Sequence, residues 1–119
     1  PYMYSEGYRT GRVDLARLVE VTSAAPARFF GVASRKGALA EGLDADLVAI
    51  DEEATWTVRA ADLHNLNRYT PHEGQKLAGR VRVTLVRGRE VYRRADDGSE
   101  TFGRAGIGTR VRRVERSDA

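Results

Sequence analysis

The sequence predicts an α/β chain with its helices first and a small β-layer after them. Three observations carry that expectation. Leu15, Leu18 and Val19 recur at helical spacing, Leu47-Val48-Ala49-Ile50 forms an unbroken apolar run, and apolar and polar residues alternate strictly over residues 80–86. Short amphipathic helices need something to pack on, and strands need a partner sheet, so the order suggests two ends of a larger structure rather than a complete domain.

The elements follow in order. Residues 1–8 can form a helical turn closed by Gly7 or Gly11. A helix over about 14–22 carries Leu15, Leu18, Val19 and the amphipathic Thr22 on one stripe, and Asp14 suits its positive N-terminal end. Pro26 interrupts and fits the start of a second short helix, because its missing N–H is not needed there; Gly31 fits the position just past the end. Phe29 and Phe30 are the expected anchors of that turn to a core. From residue 36 the pattern changes to strands and turns, punctuated by Lys36-Gly37 and Gly42-Leu43-Asp44. The run at 47–50 reads as a buried strand, Trp56-Thr57-Val58 as β-prone, and residues 60–64 as one helical turn before a loop holding Pro71 and Gly74. Residues 82–86 and 90–93 flank Arg87-Gly88-Arg89, a Gly-bearing connection of the hairpin kind. In the first of these strands Val81, Val83 and Leu85 face one side and Arg80, Arg82 and Thr84 the other. Residues 95–99 read as a turn, and no internal repeat is present.

The charge is unevenly placed. The 119 residues carry 20 Lys+Arg against 17 Asp+Glu. All of the net +3 falls in residues 103–119, where five arginines (104, 110, 112, 113 and 116) face only Glu115 and Asp118. The body of the chain is therefore neutral, and a basic tail with Phe102 as its one nearby aromatic is a poor nucleic-acid footprint. Cys is absent, which excludes disulfides, thiolate metal sites and a cysteine nucleophile. No apolar run approaches a membrane span, and no secretory pattern opens the chain, so the expected compartment is the cytoplasm. The chain starts at Pro1 without Met, which fits either initiator removal or a start inside a longer reading frame.

Candidate chemistry is sparse. His64 and His72 lie eight residues apart across a loop, outside any spacing that aims two ligands at one metal, and are expected to bond backbone or water. Glu73 is placed to tune His72. Asp44, Asp46, Asp51, Glu52 and Glu53 form a carboxylate cluster whose opening resembles a calcium loop, but Ala49 and Thr55 stand where that loop needs Gly and Glu. Those aspartates more naturally fix a turn by accepting backbone N–H bonds. No Ser-His-Asp arrangement and no phosphate-binding Gly loop is present.

Several spaced motifs nevertheless occur together: Tyr4-Ser5-Glu6-Gly7, Gly11-Arg12-Val13, Thr22-Ser23-Ala24-Ala25-Pro26-Ala27-Arg28-Phe29-Phe30-Gly31, Arg35-Lys36-Gly37, Gly42-Leu43-Asp44-Ala45-Asp46-Leu47-Val48, Tyr69-Thr70-Pro71-His72-Glu73-Gly74, Gly79-Arg80-Val81 and Val86-Arg87-Gly88. In this order they resemble the C-terminal end of cyclic amidohydrolases of the hydantoinase, dihydropyrimidinase, allantoinase and dihydroorotase group, over about residues 2–113. Trp56-Thr57-Val58 is more similar to allantoinases and dihydroorotase-like members, whereas the start and the Gly/Arg tail are more similar to hydantoinases and dihydropyrimidinases. Ala25, where the family often has Asn, and His72, where an aromatic is common, are departures.

The resemblance implies an α/β fragment: the last helices of a TIM-type barrel in residues 1–35, late strands of a small β-sandwich in 36–94, and a basic C-terminal tail in 95–119. It implies a homo-oligomeric hydrolase that opens a small-molecule cyclic amide at a C–N bond with hydroxide held between two divalent metals, usually zinc. The family's HxH pair, carboxylated Lys, further His and Asp are not in this chain, so no catalytic, cofactor-binding or metal-binding residue is assigned and the fragment alone is expected to be inactive. Without the resemblance, a free-standing interaction or oligomerisation module fits the same residues.

Overall fold

A computed structural model describes residues 1–113. Glu115, Arg116 and Asp118 of the basic tail lie outside the described residues. The helical part begins with a wide-turned helix, Met3–Arg9, of the i→i+5 type, which Gly11 closes at φ 75° while Gly7 is buried inside it. Next come α1 (Leu15–Val19), wide turns at Glu20–Ala24 and α2 (Ala25–Phe29), in one uninterrupted helical run. Asp14 caps α1, its Oδ1 accepting from the Arg17 N–H at 2.7 Å. Pro26 does not break the run as expected. It has no N–H to give to the preceding turn, and the widened turns just before it accommodate that loss. Gly31 ends the run at φ 68°, as its position predicts.

The β-part is an antiparallel meander of β1 (Leu47–Thr57), β2 (Lys76–Val86), β3 (Arg89–Arg94) and β4 (Glu100–Phe102), in that spatial order. Leu47 pairs with Leu85, Ala49 with Val83 and Ile50 with Val81. Arg87 and Gly88, at φ 50° and 72°, make the two-residue hairpin turn between β2 and β3, a geometry whose twist matches the strands. Trp56 and Thr57, read as β-prone, form the end of β1. The helical turn expected at 60–64 is the shorter 3₁₀ turn Ala60–Asp62. Lys76 and Phe102 belong to strands, and β4 lies in the segment read as tail.

The first helix packs on β2. Tyr4 lies over Gly79, whose φ of 78° sits where β1 and β2 slip register, three residues of β1 standing opposite this one glycine. Next to it the buried Ser5 hydroxyl accepts from the Ala78 N–H at 3.0 Å and donates to Glu6 Oε1 at 2.9 Å. Ser5→Ala leaves that strand N–H without its acceptor and is expected to cost about 2 kcal/mol in urea unfolding. An unchanged midpoint would show that the contact carries no stability.

The core is small. Among the described residues the buried apolar side chains are Tyr4, Leu18, Ala27, Val58 and Leu77. Phe29 and Phe30 are not core anchors: they are 81% and 62% exposed, and the small Ala27 takes the inward position. Leu15 and Val19 are about half exposed, leaving Leu18 as the one buried member of the predicted stripe. The run at 47–50 is not buried either, because β1 is an edge strand and Val48 is 57% exposed. A compact monomer of 13.2 kDa has an accessible surface of about 6,400 Å², whereas this chain has 9125 Å². Its radius of gyration is 16.2 Å against roughly 13.5 Å for a compact domain of this length.

Candidate functional site

The titratable side chains singled out in the sequence go to separate places. His64 Nε2 lies 3.0 Å from Glu100 Oε2, with its ring edge-on to Phe102. His72 stacks on Tyr2 at 4.1 Å, and its Nδ1 lies 3.1 Å from Gln75 Oε1. Both histidines thus have side-chain partners instead of the backbone or water partners expected. Glu73 does not tune His72; its carboxylate accepts from the Ala60 N–H at 2.6 Å. The carboxylate cluster divides likewise. Asp51 Oδ1 accepts from the N–H groups of Glu53 and Ala54 at the irregular part of β1, a turn-fixing role. Among the described residues no three His, Asp or Glu side chains gather into a metal-binding group. The donor set therefore does not fit a metal pair.

Asp44 and Asp46 instead form a junction between the helical and sheet halves. Arg35 and Lys36, just after α2, both reach Asp44, at 3.0 and 2.7 Å, and Lys36 also pairs with Asp46. Asp46 then uses its other oxygen to accept from the Arg87 N–H at 2.8 Å, while Gly88 donates to the Ala45 carbonyl at 2.9 Å. The turn between β2 and β3 is thereby held from beneath, and the Arg87 guanidinium holds the tail by the Ile107 carbonyl and the Thr109 hydroxyl. Asp46 beside a turn was visible in the sequence; that it meets a hairpin 41 residues away was not.

Electrostatics follow the geometry. The hydrogen bond from Lys36, followed by that from Arg35, holds the Asp44 carboxyl below its ordinary 3.8. Partial burial works to raise Asp46, but hydrogen bonds from Lys36 and the Arg87 N–H outweigh it and hold this carboxyl low as well. Burial likewise works to lower Lys36, and its two carboxylate partners more than reverse that. Carboxylates held low in the folded state contribute stability that is complete above their unfolded values and lost as pH falls through the folded ones. Lysine held high contributes stability that is lost as pH rises through its folded value. Lys36→Met is therefore expected to flatten the rise of stability with pH through the carboxylate range, measured as urea midpoints from acid to neutral pH. An unaltered acid slope would remove the junction from the account.

The largest feature is uncovered apolar surface. Phe30 and Leu39 line a groove beside α2, Phe29 stands exposed edge-on to Phe30, Leu66 and Tyr69 stand out of the loop before β2, and Val48 and Phe102 lie on the two edge strands. No helix among the described residues is long and apolar enough to cross a membrane. An open sheet with a helical segment pinned to one of its strands, both with apolar faces bare, is the form of a part cut from a larger α/β protein.

The chain belongs to the amidohydrolase family, whose model matches residues 2–91. Its similarity lies with the hydantoinase and dihydropyrimidinase branch. It is 42% identical over 111 residues to a D-phenylhydantoinase of Escherichia coli O1:K1 / APEC, covering 93% of this chain and 23% of that protein. Among solved structures, D-hydantoinase from Bacillus sp. AR9 superposes with a TM-score of 0.72 at 40% identity, over 77% of this chain and 20% of its own. L-Hydantoinase (dihydropyrimidinase) from Arthrobacter aurescens gives 0.73 at 40%, over 76% and 20%. D-Hydantoinase (dihydropyrimidinase) from Thermus sp. gives 0.76 at 37%, over 85% and 21%. The chain thus spans about a quarter of the length of the curated relatives it matches. Its open sheet and helical segment correspond to the late strands of a β-sandwich and the terminal helices of a larger barrel-type fold in these full-length homologues.

Proposed function

We propose that these residues are the C-terminal part of a hydrolase that opens a cyclic amide ring, of the hydantoin or dihydropyrimidine kind, at a C–N bond. The observation that carries the reading is the 42% identity to a D-phenylhydantoinase across 93% of the chain. The surface supports it: the accessible surface exceeds that of a compact monomer by roughly 2,700 Å², of which the exposed residues after β4 supply part and the bare side chains of Phe29, Phe30, Leu39 and Val48 another. In this reading residues 1–35 close the barrel domain, the segment from 36 through β4 contributes to the sandwich, a basic tail follows it, and the intact enzyme is a homo-oligomer. A metal pair in the barrel would supply an activated hydroxide and polarise the ring carbonyl. The residues described here do not fit as its ligands, and no chemical step is assigned to them. Their part is to cover and orient the barrel's end.

The test compares a longer protein containing these residues with the 119-residue chain, each assayed with hydantoin, dihydrouracil, allantoin and dihydroorotate. Ring opening of hydantoin or dihydrouracil by the longer protein only, abolished by a chelator and restored by a divalent metal, is the expected result. Ring opening by the short chain, or by neither protein, refutes the proposal.

A further inference from the structure

A second polar group lies away from the Lys36 junction. The Ala60–Asp62 turn, β2, β3 and β4 border an open cleft of about 580 Å³ lined by Asp62, His64, Arg80, Arg94 and Glu100. Most of these groups satisfy one another. Glu100 accepts from the Tyr92 hydroxyl at 2.8 Å and from Arg94 at 3.3 Å, and its other oxygen faces His64. Arg94 also donates to the Gly98 carbonyl at 2.9 Å.

Arg80 is the exception. It is half-buried, its guanidinium carbon lies 4.9 Å from the centre of the Trp56 ring, and it makes no hydrogen bond or ion pair with another described residue. Stacking occupies the face of the guanidinium and leaves its five N–H donors without an acceptor. A partly desolvated guanidinium in that state is matched best by a planar carboxylate, whose two oxygens take two parallel N–H bonds. The cleft's charge selects further. With Arg94 and Glu100 paired, the remaining formal charges in the lining are Arg80 and Asp62, which cancel, so a second negative charge on a ligand would meet no further unpaired cation. The volume is that of a small-molecule site.

We infer that this cleft binds a small monocarboxylate, held by the fork of Arg80 with Trp56 behind it. The inference is independent of the hydrolase reading. It is tested by the melting temperature of the longest soluble protein containing these residues, in sodium acetate and in sodium chloride at equal ionic strength, for the wild type, Arg80→Gln and Arg80→Lys. The wild type is expected to gain roughly 2 °C when acetate is about ten times its Kd. Arg80→Gln is expected to lose this gain; removing the stack on Trp56 also lowers its melting temperature in chloride, so the gain is read within each variant. Arg80→Lys keeps the charge but not the fork, and is expected to retain less than half of the gain; it decides the matter if Arg80→Gln does not fold. Equal acetate effects in the wild type and either folded variant overturn the inference, as does stabilisation by inorganic phosphate without stabilisation by acetate.

Discussion

Gly79→Ala is expected to detach the N-terminal helix from the sheet. The added Cβ would fall 2.4 Å from Cε1 and 2.5 Å from Cδ1 of Tyr4, inside any real contact, and 3.2 Å from the Ile50 side chain. Tyr4 is buried and cannot swing away without opening the contact that also holds Ser5 against Ala78. Alanine at φ 78° adds about 1–2 kcal/mol of backbone cost to an overlap worth about 1–3 kcal/mol. Together these approach the whole stability that so small a core supplies. Hydrogen exchange offers the direct measurement: the Ala78 amide should lose protection first, with residues in the β2–β3 hairpin following later. A variant with wild-type urea midpoint and a protected Ala78 amide would show that Tyr4 is not the pin.

Gly37→Ala is expected to be nearly as severe, for a reason located in the other half of the molecule. At φ 92° the Cβ would lie 2.4 Å from Ala27 Cβ and 2.9 Å from the Ser23 carbonyl oxygen. Ala27 is one of the few buried side chains, and the Ser23 oxygen belongs to the helical backbone, so neither can yield cheaply. A loss of about 2–5 kcal/mol follows. Lys36 is the adjacent residue, and displacing it separates the ammonium from Asp44 and Asp46. The variant should therefore resemble Lys36→Met in its flattened acid slope, a signature that general destabilisation would not give. Full retention of that slope would mean that the junction survives without the close approach.

What was legible in the sequence had a local cause. The Asp14 cap, the Gly31 stop and the Arg87-Gly88 turn each depend on a residue's own backbone preferences or on a partner a few positions away. Their positions were correct for that reason. The errors arose wherever the neighbour was distant or was not in the chain. Apolar residues such as Phe29, Phe30 and Val48 were read as buried because hydrophobicity measures a tendency to be covered, and nothing among the described residues covers them. Pro26 was read as a break because the rule for proline assumes ordinary α-helical turns, whereas the turns before it are widened. β4 is three residues long, too short for alternation to register. The candidate site was least legible. Asp46 looked like a turn residue and is one, but the turn that it fixes belongs to a hairpin far along the chain. Arg80 looked like the wet side of a strand, and its lack of an acceptor becomes visible only when the partners of its neighbours are known. The family was legible because ordered motifs survive in the sequence whether or not their packing partners are present.

The contact between Tyr4 and Gly79 also bears on how these residues hold together. Both halves of that contact lie within these residues, as do both halves of the Lys36 junction, so the piece carries its own internal fastenings. Its bare aromatic side chains and the free outer edge of β1 are the complementary surface. The helical and sheet parts are therefore joined to each other from within, while the apolar side chains on their outer faces stay bare.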